Sequence, residues 1–286
     1  MSYYRTLIQS AGLLLDIYPS TLPCYALNKL KDANTLANRV RNSVTNVETD
    51  IGFTGNDYDD ASLSTAIGAD SGLVTTLYDQ SVSNNVTQAT AVRQPSIMSS
   101  GTLVTSGGKA ALQGATSQGL GSVSNFSINS ESEIWMFFVV DVSSITTSQI
   151  IAETSTIATN FNGALIIQIT ASGTLRVAQR TASGVLCDLR CPTTTGRKLI
   201  SIRIITGEPT ATFAEVWING VSQTTTVFNS STSIAFRNDN LFLMSRPGVF
   251  SGAFSGKFQG FFAYAGNQTS NRLGIETEIN DYYGIY

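Results

Sequence analysis

The side chains able to carry reaction chemistry in this chain are carboxylates and thiols, because none of its 286 residues is a histidine. Losing imidazole removes the usual general base near neutral pH, the commonest metal ligand, and every Ser-His or Cys-His nucleophile scheme. Glu153 and Glu215 lie in β-prone runs, yet each stands alone in its run, the usual setting of a solvated, outward side chain. The thiols Cys24, Cys187 and Cys191 are odd in number and too few for a disulfide framework. Cys187 and Cys191 share a face at strand spacing, about 13 Å apart, so bridging them needs a bulge or turn. Free thiols are the simpler expectation.

Two further groups could bind a ligand. Asp79, Gln80, Asn84, Asn85 and Gln88 make a dense run of short polar side chains. Their oxygens suit Ca²⁺ or sugar hydroxyls, but the same residues tie down long loops through local backbone hydrogen bonds. With no two or three clustered carboxylates, tight calcium binding is not expected, and no metal or cofactor is assigned. Trp217 stands opposite Val216 and Ile218 beside a turn, so it is either a sugar-stacking platform or a core residue, and the pattern does not choose. Trp135, inside an apolar run, is expected in the core. Tyr282, Tyr283 and Tyr286 are expected to anchor a terminal helix.

Composition sets the limits. Hydrophobic residues are 42% of the chain, ample for a core, while charged residues are 13%, against about 25% in an average soluble protein. The surface must be built from Ser, Thr, Asn, Gln and Gly, as on many extracellular and virion β-proteins. Net charge is −3, and no basic face emerges from Arg39, Arg41, Arg197, Lys198 and Arg203, so nucleic acid is not an expected partner. No apolar run reaches the roughly 18 residues of a membrane helix, so no membrane insertion is expected. The first residues lack a signal peptide's pattern, which predicts synthesis in the cytoplasm.

The elements that must position these residues are mostly strands. Ile134 to Val142 is nearly all apolar, suited to a central strand buried on both faces. Runs at Gln149–Glu153, Ala164–Thr170, Leu175–Arg180, Val185–Leu189, Leu199–Ile205, Phe213–Ile218 and Leu241–Met244 follow at intervals of about ten residues. Asn219-Gly220 is a type I′ hairpin signal. Asp59 and Asp60 cap a short helix ending at Gly68, and Asp79 to Gln94 reads as a long ordered loop. Helical spacing recurs at Arg5 to Leu15 and at Leu273, Glu276, Ile279 and Tyr283. The result is an all-β sandwich with short N- and C-terminal helices, divided into an attachment segment, 1–24, and one domain, 25–286.

Several blocks resemble a known group. Tyr25-Ala-Leu-Asn-Lys-Leu-Lys, Asn38-Arg-Val-Arg, Thr49-Asp-Ile-Gly-Phe, and the stretch from Tyr78-Asp-Gln-Ser to Arg93-Gln-Pro are similar to the opening of the arabinofuranosidase B-like catalytic domain. That domain is a concanavalin A-like jelly roll. Laminin G-like jelly rolls of phage and bacterial proteins share the block. Val216-Trp-Ile-Asn-Gly-Val, Phe254 to Tyr264 and Ile279 to Tyr286 also resemble that group. The resemblance implies a concanavalin A-like jelly-roll sandwich, and for the enzymes a glutamate in the strand matching Phe258-Gln-Gly-Phe-Phe. Here Gly260 stands there, and a glycosidase needs two carboxylates about 5 Å or 6.5 to 9.5 Å apart. The expectation is therefore that the chain is not an enzyme.

Neutral polar surface, missing signal and phage-type resemblance together predict a non-enzymatic virion protein: a phage fibre, spike or capsid-decoration component. Its expected partners are other virion proteins and a cell-surface glycan, bound through Asp79, Gln80, Asn84, Asn85, Gln88 and Trp217. An apolar N-terminal helix would serve a homotrimer, or equally a lid on a monomer. The alternatives are a lectin-like carbohydrate-binding module and a glycoside hydrolase acting on arabinofuranosides.

Overall fold

The structure is a computed structural model that describes residues 12–115, 117–156, 162–247 and 252–286. Its long strands divide into two antiparallel sheets. The smaller runs through Cys24–Ala26, Lys257–Ala265, Glu133–Val142, Gly196–Ile205 and Ala214–Ile218. The larger begins with Glu48–Thr54, Leu36–Asn42, Gly72–Leu77, Val86–Thr87 and Leu120–Phe126. It continues through Asp239–Leu243, Gln149–Thr154, Leu165–Ile169, Thr174–Thr181, Gly184–Pro192 and Thr226–Asn229. Short strands Ser96–Ser99 and Leu112–Gln113 link the two. This is the β-sandwich that the strand spacing predicts.

Glu133–Val142 shows why the pattern works. Side chains alternate across a strand, so Ile134, Met136, Phe138 and Val140 enter the core between the sheets. Trp135, Phe137 and Val139 point the other way, into a second apolar layer with Leu14, Leu15, Phe262, Tyr264, Ile275, Ile279 and Tyr283. Each such side chain, fully buried, contributes about 1.5–3 kcal/mol. The second layer is roofed by two helices, α1 (Leu14–Ile17) and α3 (Arg272–Tyr283). The smaller sheet is thus covered on both faces.

The turns follow their chemistry. Asn219 and Gly220 both take positive φ, 54° and 75°, as a type I′ turn requires. A third helix, α2 (Asp60–Ile67), is capped by the Asp59 carboxylate on the Ser62 N–H and closed at Gly68.

Several expectations change. Of the helix expected over Arg5 to Leu15, Arg5 to Ala11 lie outside the described residues, and the described part is the single turn α1. Residues of the 1–24 segment pack on the body: Leu14 and Leu15 in the outer layer and Leu22 in the core. In α3 the buried face carries Ile275, Glu276, Ile279 and Tyr283, while Leu273 is 63% exposed. Asn271 holds its N-cap position without a capping side-chain bond. The expected loop Asp79 to Gln94 contains the strand Val86–Thr87 and a 3₁₀ turn, Ala91–Arg93.

Candidate functional site

The polar run at 79–88 is brought together, and its polar atoms go to backbone. Asp79 Oδ1 accepts from the Cys24 N–H (2.9 Å), the Ser81 N–H (2.9 Å) and the Ser81 hydroxyl (2.7 Å). Its Oδ2 accepts from the N–H groups of Val82 (3.1 Å) and Asn84 (2.8 Å). Gln80, 2% exposed, accepts from the Leu30 N–H and donates to the Ala26 and Asn28 carbonyls. Asn84 donates to the carbonyls of Ser124 and Asn125, Asn85 accepts from the Asp79 N–H, and Gln88 donates to the Gly119 carbonyl. These bonds staple the loop to Cys24–Ala26 and to Leu120–Phe126. Of the five, Asn84 also borders a surface depression, shared with Pro23, Val82 and Asn125.

Trp217 faces the layer under α3. Its ring stacks on Trp135 with centroids 5.4 Å apart, and the Arg272 guanidinium lies 4.7 Å from its centroid. Nearby, Arg203 bonds Glu133 at 2.8 and 3.1 Å and Glu215 at 3.1 Å. A guanidinium thus fills the space between those two carboxylates. Gly260 lies beneath the same layer: a Cβ there would stand 2.9 Å from the Phe262 ring and 3.4 Å from the Tyr283 hydroxyl. Position 260 therefore faces packed aromatic side chains, and a glutamate there would have no substrate to meet.

The outer face of the larger sheet is different in kind. Cross-strand register lines up Phe242, Glu153, Ile166, Ala178, Asp188 and Asn229 in one row. Their chain neighbours Leu241, Leu243, Leu165, Val177 and Leu189 enter the core, so this row points away from it. Arg176, Arg180 and Arg190 alternate onto the same face, and Arg246 reaches it from the chain after Asp239–Leu243.

Glu153 was expected to be solvated; it is 2% exposed. Burial is tolerable because the charge is paired. Its Oε2 accepts two bonds from Arg246, at 3.0 and 3.1 Å, and its Oε1 accepts the Ser155 hydroxyl at 3.0 Å. Asp188, 4% exposed, is held by Arg176 (3.0 Å) and Arg190 (3.0 and 2.9 Å). Burial pushes the Asp188 carboxyl up, but the bonds and charges of Arg190 and Arg176 outweigh it and leave it below the usual carboxylate range. Gln168 accepts from Arg176 at 3.1 Å. Phe242, half-buried, lies directly across from Glu153 and over Gly121, where a Cβ would stand 2.8 Å from its ring.

The three thiols are free and buried. Burial pushes Cys24 up to about 12 and Cys191 up to about 11, which leaves both as thiols rather than nucleophiles at neutral pH. Among the described residues no group of three or more Cys, Asp or Glu forms a candidate metal centre. No described helix is long and apolar enough to cross a membrane.

This fold is found among solved glycoside hydrolases. One is an arabinofuranosidase complexed with arabinofuranosyl-α-1,2-xylobiose, at TM-score 0.64 and 12% identity, covering 93% of this chain and 64% of that one. A second is a GH54 α-L-arabinofuranosidase soaked with a cyclic sulfate inhibitor, at 0.62 and 12%, with coverages of 93% and 64%. A third, a variant soaked with 4-nitrophenyl α-L-arabinofuranoside, gives 0.62 and 13%, with coverages of 90% and 62%. This chain spans less than two thirds of their length. No family model and no curated protein sequence matches it.

The expectation of a non-enzyme is corrected by these likenesses: nine-tenths of the chain takes the fold of glycoside hydrolases. The position on which that expectation leaned, Gly260, lies under α3 among packed aromatic side chains. What the residue pattern carries is Arg176-x-Ala178-x-Arg180 and Asp188-x-Arg190, with Val177, Gln179 and Leu189 between them. That spacing signals a charged sheet face; Phe242 and Arg246 carry no signal of their own.

Proposed function

We propose that this chain is a carbohydrate-active β-sandwich that takes a glycan on the outer face of its larger sheet, where Phe242 offers a ring face and Gln168 and the arginines offer polar anchors. An aromatic surface beside a few fixed polar groups is the usual makeup of a sugar subsite. The observation that carries the reading is the direct cross-strand pairing of half-buried Phe242 with ion-paired Glu153, on a fold shared with arabinofuranosidases.

Hydrolysis places a further demand on the face. Both oxygens of Glu153 are already engaged, one by Arg246 and one by the Ser155 hydroxyl. Asp188 stands three strands away, about 14 Å at the backbone, beyond the spacing of a carboxyl pair. Binding and turnover are therefore separate readouts. The test is a glycan array with the whole chain, run beside sugar release from 4-nitrophenyl α-L-arabinofuranoside and arabinoxylan. A glycan bound or a sugar released, at least tenfold weaker in Phe242→Ala and unchanged in Trp217→Phe, is the expected result. No glycan bound and no sugar released would overturn the proposal.

A further inference from the structure

The charge on this face does not balance. Arg176, Arg180, Arg190 and Arg246 gather there around two carboxylates, Glu153 and Asp188, although the chain as a whole is net negative. Both carboxylates are already taken: Arg246 bonds Glu153, while Arg176 and Arg190 share Asp188. Arg180 is left over. Among the described residues its guanidinium has no ion-pair partner within 4 Å, and its Nε is buried with no hydrogen-bond partner. The neighbouring sequence supplies no counter-charge either, since 154–164 and 247–256 contain neither Asp nor Glu.

Such an arrangement is costly without an anion. A buried guanidinium N–H lacking a partner forfeits the hydrogen bond that water would give it, and like charges close by add to the cost. Burial, then Arg246 and Arg176, push Arg180 toward losing its proton, with Glu153 alone opposing. Excess positive charge on such a surface attracts anions, and guanidinium groups match the planar geometry of carboxylates.

From the unpaired Arg180, which shares the face with Glu153, Arg246 and Arg176, we infer that the glycan bound here is an acidic one, its sugar carboxylate seated on Arg180 and completing the charge of the cluster. This rests on the glycan reading above and narrows it to a ligand class. Arabinofuranosyl units would then be at most neighbours of the acidic residue. Uronic acids and sialic acids both present such a carboxylate, and the measurement separates them.

The test is titration calorimetry of the full chain with three probes at low and moderate salt: an oligogalacturonide, 3′-sialyllactose and a neutral arabinoxylan oligosaccharide. Tight binding of either acidic probe, weakened at least tenfold by Arg180→Gln and several-fold by salt, is expected, with the neutral probe at least tenfold weaker throughout. Whichever acidic probe binds identifies the sugar class. The variant should keep or raise the melting temperature, because it removes a half-buried charge whose buried Nε has no partner, so loss of binding would not reflect unfolding. Neutral binding equal to or tighter than acidic binding overturns the inference and leaves the glycan reading standing. Acidic binding unaffected by Arg180→Gln overturns the assignment to this face. No binding of any probe overturns the inference, and an empty glycan array would remove the broader reading with it.

Discussion

Replacing Asp79 by alanine separates a structural carboxylate from a ligand-binding one. Five donors converge on it, from Cys24, Ser81 (twice), Val82 and Asn84. Hydrogen bonds to a charged group contribute about 1.5–3 kcal/mol each in favourable cases, but Val82 is exposed and the Ser81 groups are part-buried, so water replaces most of those. The Cys24 N–H belongs to a wholly buried residue and would be left without a partner at about 1–3 kcal/mol. With the remaining bonds at roughly half a kcal/mol each, the variant should lose about 3–5 kcal/mol. In a chain of this size that lowers the melting temperature by about 10 °C. Urea unfolding followed by tryptophan fluorescence, with calorimetry alongside, reads both quantities. Ser81→Ala, which removes one donor, should cost under about 1 kcal/mol. An Asp79→Ala protein within about 1 kcal/mol of the parent, with glycan binding abolished, would refute the reasoning and place the ligand at the 79–88 loop.

Other outcomes follow from the same geometry. Gly260→Ala should cost about 1–3 kcal/mol, the usual penalty for overpacking, and Gly260→Glu should fail to accumulate as folded protein; a stable glutamate variant would show that position 260 opens to solvent. Stability should be flat from pH 5 to 7, since no histidine titrates there. It should fall below about pH 4, the ordinary aspartate range. Asp50 is held low by its Arg39 bonds, Asp57 by its Lys109 bond, and Asp188 by Arg190 and Arg176 against the opposing effect of burial. Their folded forms resist protonation that the unfolded chain accepts, so the stability they give is present above the unfolded value and lost on acidification. A melting temperature that changes by several degrees between pH 7 and 5 contradicts this. Finally, a thiol reagent at pH 8 should label none of the three cysteines in the native chain and all three in denaturant; rapid native labelling would show that one of them is not buried.

Much of the architecture was legible in the chain, and the reasons are local. Ile134 to Val142 announces a strand buried on both faces because almost every residue in it is apolar, and Asn219-Gly220 announces its turn because few other pairs tolerate two positive φ values. Leu120–Phe126 announces nothing: its apolar residues, Leu120, Val123 and Phe126, fall three apart rather than two, Val123 faces solvent, and a bulge between Gly121 and Asn125 breaks its alternation. Leu273 shares the helical spacing yet is exposed, because Ile275, two residues on, fits the same spacing with Ile279 and takes the buried place. The candidate site was legible only in pieces. The arginines of Thr174–Thr181 and the acid of Gly184–Pro192 show a charged sheet face, but their meeting with Glu153, Phe242 and Arg246 depends on strands far apart in sequence. Glu153 looked solvated because nothing near it in the chain supplies a counter-charge; Arg246, 93 residues away, does. The run at 79–88 was conspicuous for being local, and local polar clusters satisfy backbone.

Mapping by amide NMR of the labelled full chain, titrated with an oligogalacturonide, with 3′-sialyllactose and with an arabinoxylan oligosaccharide, tests most directly whether the glycan site is the outer face of the larger sheet. The account predicts perturbations concentrated at Glu153, Gln168, Arg176, Arg180, Asp188 and Phe242, with Asn84, Asn125 and Trp217 unmoved. Perturbations centred on the Asn84 and Asn125 depression or on Trp217, with Glu153 and Arg180 silent, would contradict it.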